Sequence, residues 1–244
     1  MIRVLILGGT GEGAALARHL AGRPELEIVS SLAGRVAAPV APPGAVRIGG
    51  FGGVDGLVAY LARERIDAVV DATHPFAARI SAHAAEACRR AGVPLLGFVR
   101  PAWVAEPGDH WLPVVDMAAA AALCRGRVFL TVGRQELAAF TDCDAWFLIR
   151  TIDPPEGSLP AAHELLLARG PFGLADEIDL LRAHAIDMIV SKNSGGPATY
   201  AKIEAARKLG LPVVMVERPP RPATDEARSL DEVGAWLDRL HHTP

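Results

Sequence analysis

The sequence predicts an α/β fold of two similar halves, each a parallel sheet flanked by helices, with a ligand cleft between them. Three observations predict it. Apolar runs of strand length alternate with helical stretches almost from end to end. The predicted strands are apolar on both faces, as buried parallel strands are. The chain also repeats itself at a nearly fixed offset. Composition fits a folded protein: of 244 residues, 50% are hydrophobic and 22% charged, too apolar for disorder. Lys+Arg 25 against Asp+Glu 28 gives a net charge of -3, which excludes a nucleic-acid binder held by bulk electrostatics. No apolar run approaches the roughly 18 residues needed to span a bilayer. The first apolar stretch meets Gly8 too soon for a signal peptide. The three cysteines show no CxxC or Cys/His spacing, so neither a disulfide framework nor a structural zinc site is expected. The expectation is a cytoplasmic protein with no membrane, nucleic-acid or metal partner.

Taken in order, the predicted strands are Val4–Leu7, Glu27–Ser31, Val46–Ile48, Ala68–Asp71 and Leu95–Val99. A second set follows at Val128–Val132, Trp146–Arg150, Glu164–Ala168, Met188–Ser191 and Val213–Glu217. Helical stretches lie at Gly13–Ala21, Val54–Glu64, Ala77–Ala91, Ala175–His184, Ala198–Leu209 and Leu230–Leu240. Pro219-Pro220-Arg221-Pro222 reads as a connector before the last of these.

Ile66-Asp67-Ala68-Val69-Val70 matches Ile186-Asp187-Met188-Ile189-Val190 at an offset of 120. The offset then becomes 118, and Glu86, Ala87, Arg89, Gly92, Pro94, Arg100 and Pro101 fall on Glu204, Ala205, Arg207, Gly210, Pro212, Arg218 and Pro219. Each copy reads strand, loop, helix, Gly-x-Pro, strand, Arg-Pro, with the Gly suited to a helix C-cap. Duplication gives two domains, residues 1–101 and 102–244. Open parallel sheets bind ligands at the carboxyl ends of their strands.

Gly8-Gly9-Thr10-Gly11-Glu12-Gly13-Ala14 joins the first strand to the first helix. The spacing Gly8-x-x-Gly11-x-x-Ala14 is a relative of GxGxxG, which makes the first domain a Rossmann-like dinucleotide binder. On that spacing, Gly8 permits the tight turn, Gly11 lets the backbone approach a pyrophosphate, and Ala14 allows helix to pack on strand. Where the second strand ends, an acidic residue would hydrogen-bond a ribose 2′-hydroxyl. Ser30, Ser31 and Arg35 stand there instead, which suits a 2′-phosphate and favours NADPH over NADH. A solvated loop with an incidental Arg35 is the alternative.

Asp71-Ala72-Thr73-His74-Pro75-Phe76 follows the fourth strand. Thr73 and His74 are candidates for contact with the ribose or nicotinamide; capping of the next helix and a loop histidine are the structural alternatives. The first turn of the second half, Thr131-Val132-Gly133-Arg134, has one glycine and a bulky Arg134, so pyrophosphate binding is not expected there. Arg134, Arg150, Arg169 and Lys192 all fall at or just past second-half strand ends. With Asn193 and Ser194 they make a candidate rim for a polycarboxylate substrate, because Arg forks suit carboxylates. No Ser-His-Asp order, nucleophile elbow or HExxH motif appears.

With these residues in place, the whole chain resembles the precorrin-6A reductase family of cobalamin biosynthesis. The matching segments are Gly8-Gly9-Thr10-Gly11-Glu12, Asp71-Ala72-Thr73-His74-Pro75-Phe76, Thr131-Val132-Gly133-Arg134, Ala168-Arg169-Gly170-Pro171-Phe172 and Ser191-Lys192-Asn193-Ser194-Gly195-Gly196. The resemblance implies hydride transfer from NADPH to the macrocycle of precorrin-6A, a tetrapyrrole with many carboxylates, giving precorrin-6B. The proton donor stays open among Lys192, His74, Tyr200 and bound water. Two alternatives stand beside this reading: an NAD(P)-sensing protein without hydride transfer, and an NADH-dependent cobalt-precorrin-6A reductase.

Overall fold

In the structure, a computed structural model, residues 1–34 and 41–241 are described. The chain divides into two compact units, Met1–Pro101 with Pro219–Pro244, and Ala102–Arg218. The first unit is built on β1 (Ile2–Leu7), β2 (Leu26–Leu32), β3 (Ala45–Ile48), β4 (Ala68–Asp71), β5 (Leu95–Phe98) and β12 (Asp225–Ala227). All pairings are parallel, and the sheet order is β3-β2-β1-β4-β5-β12. That is the 3-2-1-4-5-6 order of dinucleotide-binding sheets.

Alternation along β1 supplies both faces. Val4 and Ile6 pack with Leu16 and Leu20 of α1 (Gly11–Leu20) and with Val233, Trp236 and Leu237 of α7 (Leu230–His241). Leu5 and Leu7 pack on the opposite face against α2 (Gly53–Arg63) and α3 (Ala78–Ala91). A strand buried on both faces needs helices on both sides, which is why its sequence is a continuous apolar run.

The second unit contains β6 (His110–Val114), β7 (Arg127–Thr131), β8 (Trp146–Thr151), β9 (His163–Leu167), β10 (Met188–Lys192) and β11 (Pro212–Val216). Its order is β9-β8-β7-β10-β11-β6, again all parallel. The arrangement is the same as in the first unit, except that the sixth place goes to the strand that comes first in sequence. Helices α4 (Met117–Leu123), α5 (Leu174–Ala183) and α6 (Ala201–Leu209) and a 3-10 helix, Arg134–Phe140, complete it.

Duplication is visible in the contacts. Arg3 N donates to Asp67 Oδ2 and Arg127 N to Asp187 Oδ2, both at 2.7 Å. The Arg3 and Arg127 side chains reach the carbonyls of Glu64 and His184. Arg65 and Ala185, also 120 apart, both take positive φ (50° and 46°). The two Arg-Pro segments that end the repeats are the places where the chain changes unit: Arg100-Pro101 leads on to β6, and Arg218-Pro219 to β12.

One boundary differs from expectation. Residues 219–244, placed by sequence in the second domain, belong to the first unit, because β12 pairs with β5 and α7 covers α1. The apolar stripe of α7 is complementary to a face that the first sheet would otherwise expose. Among the described residues, no helix is long and apolar enough to cross a membrane.

Candidate functional site

The glycine turn leaves β1, buried from Val4 onward, and enters α1. Gly8 N donates to Ser31 O at 2.9 Å, tying the turn to β2. Thr10 caps the helix: its hydroxyl accepts from Gly13 N at 3.0 Å and donates to Ala72 O at 2.9 Å. One side chain therefore fixes the turn to its own helix and to the end of β4. A Cβ on Gly13 would come within 3.2 Å of Gly8 Cα, whereas one on Gly11 would meet nothing within 4 Å. The turn is packed tightly on one side and open on the other, so backbone N–H groups and the positive end of α1 face open space. Donors so placed offer a seat to an anionic group. On spacing alone, the tight turn falls at Gly8 and the close packing at Ala14. In the structure, Gly9 takes the left-handed φ of 105° and Gly13 makes the close approach.

Beside the turn, Asp71 is 3% exposed and collects three donors. Its Oδ1 accepts from Thr73 N (3.1 Å) and Thr73 Oγ1 (2.6 Å), and its Oδ2 from Arg221 (2.7 Å). Arg100, two residues past β5, donates to Glu12 Oε2 at 2.6 Å. Burial alone would raise the Glu12 pKa, but the hydrogen bond and charge of Arg100 outweigh it and hold the carboxyl below its ordinary value. Thr10, Glu12, Thr73, Phe98, Arg100 and Arg221 line one concavity at the ends of β1, β4 and β5. His74 Nδ1 accepts from Phe76 N at 3.2 Å, so a neutral ring carries its proton on Nε2.

At the other edge of the turn, Ser30 is buried and its hydroxyl has no hydrogen-bond partner among the described residues, while Ser31 Oγ accepts from Arg47 at 3.0 Å. Arg47 is the register partner of Ser31 on β3. Arg35 lies outside the described residues.

In the second unit, register matches Thr131 to Leu7, so Glu136 takes the place of Glu12, and Leu137 that of Gly13. Leu137 is buried, and a Cβ on Gly133 would sit 2.3 Å from Glu136 Oε2. The Glu136 carboxylate thus lies over Gly133, where the matching Gly9 meets nothing within 4 Å, and a buried leucine stands in place of the close-packed Gly13. Lys192 Nζ pairs with Glu136 Oε1 at 2.9 Å. Asn193 clamps Trp103, accepting from its N at 2.8 Å and donating to its O at 3.0 Å. The Ser194 carbonyl accepts from Arg218. Arg134 donates to Pro154 O at 3.2 Å, and Arg169 is exposed. Tyr200 donates to Glu106 and accepts from Arg207; burial foremost, with Glu106 as its acceptor, raises its pKa.

Residues 3–238 match the family model of precorrin-6x reductase, CbiJ/CobK. The chain belongs to this family. It is 54% identical to a precorrin-6A reductase of Rhodococcus erythropolis, over 98% of this chain and 99% of that one. A solved structure of CobK precorrin-6A reductase superposes with a TM-score of 0.93 at 48% identity, covering 100% of this chain and 99% of that one. A cobalt-precorrin-6A reductase of Salmonella typhimurium is 28% identical over 97% of this chain and 95% of that one.

For a precorrin-6x reductase, two placements matter most. Arg150, expected on the substrate rim, is 7% exposed and donates through both terminal nitrogens to Glu177 between the rings of Phe129 and Phe172. Strand alternation turns it into the helix-covered face of β8, so it is a core cation and not a rim group. Conversely, Arg47, Arg100 and Arg221 gather around the glycine turn without having been singled out by sequence. The only linear signal was Arg-Pro at the end of the repeat; sheet order and the returning connector do the rest.

Proposed function

We propose that the chain reduces precorrin-6A to precorrin-6B with hydride from NADPH seated on the glycine turn of the first unit. The observation that carries this reading is the turn itself, closed at Gly13 and open at Gly11. The residues fit the coenzyme: backbone N–H groups from Gly11 onward for the pyrophosphate, and Thr73 and His74 beside β4 for the ribose and nicotinamide. When bound, NADPH supplies the hydride from its nicotinamide ring.

The protein's own work is positioning. Thr10 holds the turn in register with β4. Asp71 orients Thr73, and Arg221 neutralises Asp71, so the polar lining stays fixed without a mobile charge. Arg100 does the same for Glu12. On the second unit, Arg134, Arg169 and Lys192 with Ser194 are the groups assigned to substrate carboxylates; Arg150 and Asn193, whose amide is taken up by the Trp103 backbone, are withdrawn from that set. The candidate proton donors are Lys192, His74, Tyr200 and bound water. Higher identity to precorrin-6A reductases than to a cobalt-precorrin-6A reductase supports the metal-free substrate. Mixing protein, NADPH and precorrin-6A should discharge the nicotinamide absorbance stoichiometrically with loss of precorrin-6A. Binding of NADPH without its oxidation in that mixture would establish the sensor alternative instead.

A further inference from the structure

The unexplained group nearest the turn is Arg47. Its Nη1 donates to Ser31 Oγ (3.0 Å) and Gly49 O (2.7 Å), and its Nη2 to Gly50 O (2.7 Å). The guanidinium lies on the face of Phe51, 3.8 Å from the ring centroid, and 5.1 Å from that of Tyr60. Every polar partner is neutral; among the described residues no carboxylate pairs with it. Burial pulls its pKa down, and Arg63 adds to the effect. A half-buried guanidinium, immobilised and lacking a counter-charge, is costly unless an anion completes it.

Its place says which anion. Ser31 sits one step from the glycine turn, since Gly8 N bonds the Ser31 carbonyl. In such sheets the end of the second strand faces the adenosine ribose, where an acid reads a 2′-hydroxyl and an Arg accommodates a 2′-phosphate. Here the acid is absent, a serine stands at the strand end, and a cation is fixed to that serine by the neighbouring strand.

We infer that Arg47, held by Ser31, Gly49, Gly50 and Phe51, binds the ribose 2′-phosphate and makes the chain select NADPH over NADH. The inference rests on the coenzyme seat proposed above. Pre-organisation by two carbonyls and a ring means that little side-chain freedom is lost on binding. An Arg–phosphate contact is charge-assisted and selective for a planar fork, so lysine should replace it only in part.

The test is calorimetric titration of NADPH and NADH into wild type, Arg47→Ala, Arg47→Gln, Arg47→Lys and Arg35→Ala. Gln keeps a polar, uncharged side chain on the strand edge, though a shorter one, so it stands in should Ala disturb that edge. Wild type should prefer NADPH. The Ala and Gln variants should lose at least about tenfold in NADPH affinity and keep NADH affinity within about twofold, and Lys should fall between. An NADPH/NADH ratio unchanged in Arg47→Ala and Arg47→Gln, or abolished by Arg35→Ala with Arg47 intact, would overturn the assignment of Arg47 alone. Equal affinity of wild type for both coenzymes would overturn it together with the NADPH reading.

Discussion

Replacing Glu177 by Gln tests whether Arg150 is a core cation. The carboxylate is 2% exposed and takes both terminal nitrogens of Arg150, which is 7% exposed and stacked on Phe172 at 3.7 Å. Lys202, equally enclosed, donates to Thr199 O at 2.9 Å and lies 5.2 Å from the centroid of the Trp103 ring. Glutamine preserves the shape but removes the negative charge that acts on both cations, and it turns an amide N–H₂ towards a guanidinium. Breaking a buried pair from one side costs about 3–5 kcal/mol, because the surviving charge stays buried. In a chain of this size each kcal/mol is worth about 2–4 °C, so the second unit should melt about 10 °C lower. Tryptophan fluorescence during heating reads this directly, since Trp103, Trp111 and Trp146 all lie in that unit. NADPH affinity should be unchanged. A melting shift under about 2 °C, or an unshifted Arg150→Met variant that loses substrate affinity, would return Arg150 to the substrate rim.

Two further outcomes follow from the same contacts. Thr10→Ala removes a helix cap worth about 1 kcal/mol and a bond to Ala72 O worth about as much, so urea titration should show a loss of about 2 kcal/mol together with weaker NADPH binding. An unchanged midpoint would mean that the turn is held by other contacts. Lys202 is pushed down to about 7, by burial first and by the charge of Arg150 second, against the opposing pull of Glu177. Between that value and its ordinary one the unfolded chain binds a proton that the folded chain lacks, so this group makes stability rise with pH from about 7 to about 10. Lys202→Met should abolish that slope in melting temperature; a slope identical to wild type would assign it to other groups.

Much of the framework was legible because buried parallel strands are continuous apolar runs. Predicted strands such as Val128–Val132 and Met188–Ser191 lie within one or two residues of β7 and β10. What escaped was the sixth position of each sheet. β12 is Asp225-Glu226-Ala227, three residues with two exposed, and β6 carries Pro113 at an edge where no apolar run is needed. α4 is nearly all alanine, so it has helix propensity but no apolar stripe to give a period. The same two segments exchange between the units, so an argument from contiguous stretches put residues 219–244 in the wrong one. The glycine turn was legible from local spacing, although which glycine does what depended on backbone angles. Arg47 and Arg221 were not, since strand register brings one to Ser31 and a returning connector brings the other to Asp71. Arg150 was misplaced because a strand-end position does not reveal the face to which its side chain turns.

Coenzyme binding at the first-unit turn is tested most directly by Gly11→Leu. A side chain there projects into open space, so the melting temperature should stay within about 2 °C of wild type. It would occupy the space a pyrophosphate needs, so calorimetry should show NADPH affinity reduced at least about tenfold. A well-folded Gly11→Leu protein that binds NADPH as tightly as wild type would place the coenzyme elsewhere and contradict the account.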